Sequence, residues 1–289
     1  SFIGLAFFMP GRIGLSIWFF VVLYGLYRMI GYSYFPPFYD GQMHDQRTGA
    51  MLGLAIGVLW IGRAQWLRVA RSLFRRCATE QERRCRDHGW LLIAGLAGMV
   101  AWMTWAGLPL GWSIVLVAFG FLCALLISRM IAESGMPLMR LHADGLYLAK
   151  LAPIGLLSPA VLFMAQTMTV LFPMGSRVNA SAMAVQGEAL AGGGSGANRW
   201  HAWLFLGVLV LGFVVSGSTH LWMNYHHDRA LNDQPINGWG LGLMDEGNRA
   251  IEELGRGNVG RQPQNTLGHI IFGALLAILL YWLSMTFPA

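Results

Sequence analysis

Charge is what this sequence has least of. Asp, Glu, Lys and Arg make up 12% of its 289 residues, about half the share of a soluble globular domain. Hydrophobic residues make up 55%, with twelve Trp and sixteen Phe. So few polar side chains cannot coat a water-facing globule, which excludes a soluble enzyme, a nucleic-acid binder and a disordered linker. Lysine is nearly missing: nineteen of the twenty basic residues are Arg, and Lys150 is the exception. Cysteine is scarce too. Cys77, Cys85 and Cys123 form no disulfide framework, and free thiols suit a reducing cytosolic face. The sequence has no His-Glu-x-x-His, no Walker A loop and no Gly-x-Ser-x-Gly elbow.

Long apolar runs fill the space that charge leaves. About 20 residues at 1.5 Å each cross a 30 Å hydrocarbon core. Seven runs meet that length, at about 13–30, 48–67, 89–106, 112–131, 146–172, 200–222 and 267–287. The predicted fold is an all-α, polytopic transmembrane helix bundle forming a single transmembrane domain over 1–289. The chain opens inside an apolar stretch, Ser1 to Met9, and stops just after another. This is the pattern expected of a piece of a longer membrane protein. Between the last two runs, Met244–Gly255 reads as a short helix with Asp245 as its N-cap and Gly255 as its stop.

Orientation follows from the arginines. Arg68 to His88 is the most basic segment. Placing it in the cytoplasm puts sixteen basic residues inside and four outside (Arg28, Arg47, Arg177, Arg199), as the positive-inside bias requires. Strict alternation then sends the second run inward and the seventh outward. The expected location is a cell (inner) membrane, crossed several times.

Three features could carry function. Gly49, Gly53 and Gly57 place a small residue every fourth position on one helix face, which lets another backbone approach closely. They read as a packing seam, or else as a thin wall beside a solute path. Arg129 and Glu133 stand four apart at the inner end of the fourth run and can pair. They read as a snorkelling pair at the headgroups, or as a charged pair lining a cavity at a helix break. The fifth run carries Pro153, Ser158 and Pro159, and prolines free carbonyls that could face water or an ion. The sixth run ends Ser216-Gly-Ser-Thr-His220. Interhelical hydrogen bonding fits this stretch better than metal ligation, since His220 and His227 stand two turns apart.

Several short stretches together resemble a known group. Gly14-Leu-Ser-Ile-Trp-Phe-Phe20, Gly31-Tyr-Ser33, Gln42 with Gly49-Ala50, and Arg129-x-x-x-Glu133-x-Gly135 are similar to a family of large, uncharacterised bacterial multi-pass membrane proteins. That family carries domains of unknown function and is distantly similar to oligopeptide transporters. The resemblance implies further helices before Ser1 and after Ala289, and it supplies no substrate. The Asn-Pro-Gly type signatures of true oligopeptide transporters are missing here.

The functional expectation is a secondary-transporter-like permease for a small polar solute, with Arg129, Glu133, Pro153, Ser158 and His220 as solute- or ion-binding candidates. An ion gradient would drive it, since no nucleotide motif is present. The alternative is a non-transporting membrane scaffold or assembly subunit, and a membrane-embedded enzyme ranks third. No cofactor and no metal are expected. Partners are the lipid bilayer, a small polar solute or coupling ion, and a second copy in a homo-oligomer; nucleic acid is not among them.

Overall fold

A computed structural model describes residues 11–34, 40–74, 80–134, 141, 143–171, 181, 183–184, 187, 199–226, 237–257 and 266–286. The described residues form ten α-helices and a 3-10 turn, with no strand among them. The helices are α1 (Gly11–Tyr34), α2 (Asp40–Ile61), α3 (Arg63–Phe74), α4 (Glu80–Trp105) and α5 (Leu110–Ser134), then α6 (Gly145–Lys150) and α7 (Pro159–Leu171), and finally α8 (Arg199–His226), α9 (Asn237–Gly255) and α10 (Thr266–Thr286). The 3-10 turn, Ile154–Leu156, lies between α6 and α7.

Four stretches are long and apolar enough to cross a membrane: Gly14–Tyr34, Leu110–Glu133, Leu206–Met223 and Thr266–Leu283. α2 and α3 form a fifth if their 63° bend is taken as one broken span. The chain is therefore a multi-pass helical membrane protein, and the described residues hold four to five candidate spans where the sequence predicts seven. Two of the expected runs account for the difference. Gly89–Trp105 is helical, but it continues a charged start, and its 17 residues reach only about 26 Å at 1.5 Å per residue. The other run, 146–172, is not one helix.

That segment folds as a hairpin. α6 ends at Lys150, and α7 begins only at Pro159. The Ser158 hydroxyl accepts from the Val161 N–H at 3.3 Å, and Pro159 occupies the first helical position, where its missing N–H costs nothing. A Ser-Pro pair is thus a helix start, and continuous hydropathy hides it. Gly145, at the start of α6, lies against the Ala165 carbonyl and Thr169 near the end of α7, so the two helices run antiparallel. Trp112 Nε1, at the start of α5, donates to the Leu156 carbonyl at 2.8 Å and pins the hairpin tip.

α5 is the central helix. Leu116, Cys123, Leu126 and Ile127 are fully buried, in one core with Met51 and Ala55 of α2, Met103 of α4, Leu146 and Ala149 of α6, Val161, Leu162 and Ala165 of α7, and Ala250 of α9. Phe119 touches the site where a Gly145 Cβ would sit, 3.4 Å away. Phe119 stands nine residues into α5, about 14 Å from its start. The open end of the hairpin therefore lies near mid-height on α5.

α2 and α10 pack backbone to backbone. A Cβ on Gly49 would collide with the Ile270 carbonyl, and one on Gly53 would lie 2.5 Å from the Ala274 carbonyl oxygen. On the facing helix, a Cβ on Gly273 would collide with the Gln46 carbonyl. Gly57 faces the Tyr281 ring instead. Contacts advance together from 49 to 57 and from 270 to 281, so the two helices run parallel. Strict alternation of seven spans makes these helices antiparallel, and the structure reverses that expectation. Among the described residues, α1 and α8 bury hardly any of their apolar surface.

Candidate functional site

Four consecutive polar residues open α2: His44, Asp45, Gln46 and Arg47. Successive helical residues point about 100° apart, so the four reach different neighbours. His44 Nε2 lies 3.7 Å from Asp144 Oδ2, and its ring meets Tyr147 edge to face at 4.6 Å. Asp45 accepts from the Tyr147 hydroxyl in a buried contact. Gln46 Oε1 accepts from the Tyr27 hydroxyl at 2.9 Å, and its Nε2 lies 3.4 Å from His269 Nδ1. Arg47 donates to the Tyr24 hydroxyl and lies over that ring. The start of α2 is a polar hub that ties together α1, α6 and α10.

The hairpin supplies the facing half. Asp144 is the N-cap of α6: its Oδ1 accepts from the Leu146 N–H at 2.8 Å and the Tyr147 N–H at 3.1 Å. The Thr169 hydroxyl, arriving from α7, donates to the same oxygen at 3.1 Å and accepts from the Gly145 N–H at 2.7 Å. With Oδ1 held by three donors, Oδ2 is the oxygen turned to His44. Asp45 is 3% exposed, whereas His44 and Asp144 are about one-third and one-quarter open. The hub thus has a sealed side and an open side. Its chemistry is that of two carboxylates, an imidazole and a phenol, which suits hydrogen bonding, cation binding and proton exchange.

A second polar contact sits behind the hairpin. Lys150 Nζ approaches Glu253 Oε2 at 3.7 Å, and Gly247 of α9 packs on the buried Gln166 side chain of α7. The apolar face of α9, Ala250 with Ile251 and Leu254, joins the core.

The structure places the expected site residues apart. Arg129 and Glu133 pair at 2.5 Å, each about half exposed. They lie beside Tyr281 of α10. Ser158 caps α7 and Pro153 caps the 3-10 turn. His220 lies on α8, with its side chain outside the described residues, as is all of His227. Cys77 and the apolar start of the chain are likewise outside them. Gly49, Gly53 and Gly57 face α10. Among the described residues, no three His, Cys, Asp or Glu side chains gather as a metal site requires.

Sequence reasoning missed His44, Asp45, Asp144, Tyr147 and Thr169. The first two lay in what reads as a loop, Gly31 to Arg47. A signal was present nonetheless. Asp-Gly-Gln-Met-His-Asp-Gln-Arg, 40–47, is the densest polar run that leads directly into a small-residue helix face. Asp144-Gly145 before Leu-Tyr-Leu carries an N-cap signature.

No curated protein and no solved structure matches this chain. One family profile does, over residues 1–289, described as a family of unknown function (DUF6785). The chain belongs to that family of multi-pass membrane proteins.

Proposed function

We propose that the chain is a permease for a small polar solute, and that its binding site is the hub of His44, Asp45, Asp144 and Tyr147. The observation that carries this reading is a buried carboxylate–phenol contact, Asp45 with Tyr147, where the first turns of α2 meet the hairpin. Buried ionisable groups within a membrane bundle are expensive and mark solute or ion paths. Transporters build such sites near the midplane from short, interrupted helices, and α6 and α7 are helices of that kind. Lipid-facing irregular backbone is not tolerated at membrane depth unless protein or water surrounds it, and the 151–158 break calls for that setting.

The proposal includes a topology. Residues 145–171 enter and leave from the side where α5 ends. In this topology α4 crosses as well, its polar first turns carrying the short apolar run 89–105 into the headgroups; α4, α5 and α8 then lie between α2 and α10, an odd number, which agrees with the parallel α2–α10 pair. The Arg68–His88 segment faces the cytoplasm. Arg129 and Glu133, half open beside Tyr281, form a charged mouth at the inner end of the same path. A second reading, a membrane scaffold, draws on α1 and α8, whose apolar faces no described part of the chain covers.

Uptake into proteoliposomes tests the proposal, with a panel of labelled amino acids, small carboxylates and sugars. At least one solute should enter through the wild-type chain. Asp45→Asn and Asp144→Asn should lose that uptake with normal membrane insertion, and Glu133→Gln should reduce it. A panel that enters no faster than into empty liposomes sinks the permease reading and leaves the scaffold.

A further inference from the structure

We propose that the outer face of α3, with Arg83 of α4, is a binding surface for anionic phospholipid headgroups. Residues 63–88 hold eight Arg against three acidic residues (Glu80, Glu82, Asp87). That segment supplies +5 of the chain's formal net charge of +6, so the field of the protein is concentrated there.

The geometry sorts α3 into two faces. α3 leaves the axis of α2 at 63°, and its Val69 and Leu73 pack on Gly89 of α4. Trp66 meets Phe121 of α5 edge to face. These three residues fix the inner face. The outer face carries Arg63, Leu67, Arg71 and Phe74, which fall within about 80° of one another at 100° per residue. Leu67 is 51% and Phe74 86% exposed. Arg63, Arg68 and Arg71 are exposed as well, as is Arg83 on α4.

Arginines interleaved with large open apolar side chains suit neither water nor hydrocarbon alone. They suit the boundary where acyl chains meet phosphates. There Leu67 and Phe74 enter the lipid, and the guanidiniums turn back to the headgroups. Arg63 already lies over the Trp60 ring, 4.4 Å from its centre, and is exposed, so its guanidinium can serve the ring and a phosphate together. A basic cluster next to a membrane helix attracts anionic lipid, and each Arg near the surface strengthens association about fivefold. The net charge favours an anionic lipid over a zwitterionic one.

The test uses the purified full chain in neutral detergent and fluorescent phosphatidylglycerol as probe, with phosphatidylcholine as comparison. Phosphatidylglycerol should bind in preference, and added salt should weaken it. R68Q/R71Q should lower its affinity about 25-fold, while R68K/R71K keeps most of it. The lysine pair separates lost charge from lost folding. Equal affinity for the two lipids, or no loss in the Gln pair, would overturn the proposal. Displacement of the probe by inorganic phosphate alone would show a free-anion site instead. None of these outcomes depends on whether the chain transports a solute.

Discussion

Adding one methyl group at Gly49 should separate α2 from α10. An alanine Cβ there would overlap the Ile270 carbonyl, and at Gly53 it would lie 2.5 Å from the Ala274 carbonyl oxygen. Both obstacles are backbone in a helix, so neither can rotate away, and the helix axes must part. Overpacking of this kind costs about 1–3 kcal/mol. Gly57 offers a graded control, because the atom in its way is the Tyr281 ring, 2.7 Å off, which can swing. Gly25 has nothing within 4 Å, so Gly25→Ala should gain up to about 1 kcal/mol of helix propensity. The expected order of stability loss is Gly49→Ala, then Gly53→Ala, then Gly57→Ala, with Gly25→Ala neutral or better. Gly273→Ala should resemble Gly49→Ala, since its Cβ meets the Gln46 carbonyl. The double variant should cost less than the sum, because helices already parted accept the second methyl. Unfolding in mixed micelles, followed by circular dichroism, reads the series. A Gly49→Ala variant as stable as Gly25→Ala would refute the close approach of the two backbones.

Three further predictions concern the hub and the hairpin. Asp144→Ala should cost about 1–2 kcal/mol by removing the α6 cap, while Asp144→Asn keeps most of that stability; hydrogen exchange of the 145–150 amides reads the difference. Tyr147→Phe removes a donor from Asp45, which is 3% exposed, and should cost about 1–3 kcal/mol; Tyr147→Phe with Asp45→Leu should recover part of it in the same unfolding assay. Trp112→Phe deletes the bond to the Leu156 carbonyl, worth about 1 kcal/mol, so proteolysis at 151–158 should quicken while the α2–α10 pair keeps its protection.

The helical, membrane-crossing character was legible because hydrophobicity over 20 residues is a local property. Leu110–Glu133 shows this best, since its apolar run and its helix nearly coincide. The glycines at 49 and 53 could be read as a seam, yet which helix would face them could not. The partner, α10, lies more than 200 residues away in sequence. The hairpin was hidden because hydropathy averages across Lys150 and the two prolines. Ser158-Pro159 marks a helix start by hydrogen bonding, which hydropathy does not weigh. The hub was hidden for a related reason. His44 and Asp45 acquire meaning only when Asp144 and Tyr147 arrive from a distant segment. A polar run at the edge of an apolar one reads as a loop until the fold supplies its partners. Arg129 and Glu133 show the converse: their i, i+4 spacing identified a real pair, but spacing says nothing of which helix stands opposite.

The most direct test is the sidedness of two cysteines. In a variant whose remaining reactive thiol is Cys85, and in a second with Thr286→Cys alone, an impermeant maleimide is applied to oriented vesicles from each side in turn. If residues 145–171 return to their own side, both positions should react from the same, cytoplasmic face. Labelling of 85 and 286 from opposite faces would mean that the segment crosses the membrane, and would contradict the re-entrant hairpin on which the proposed site depends.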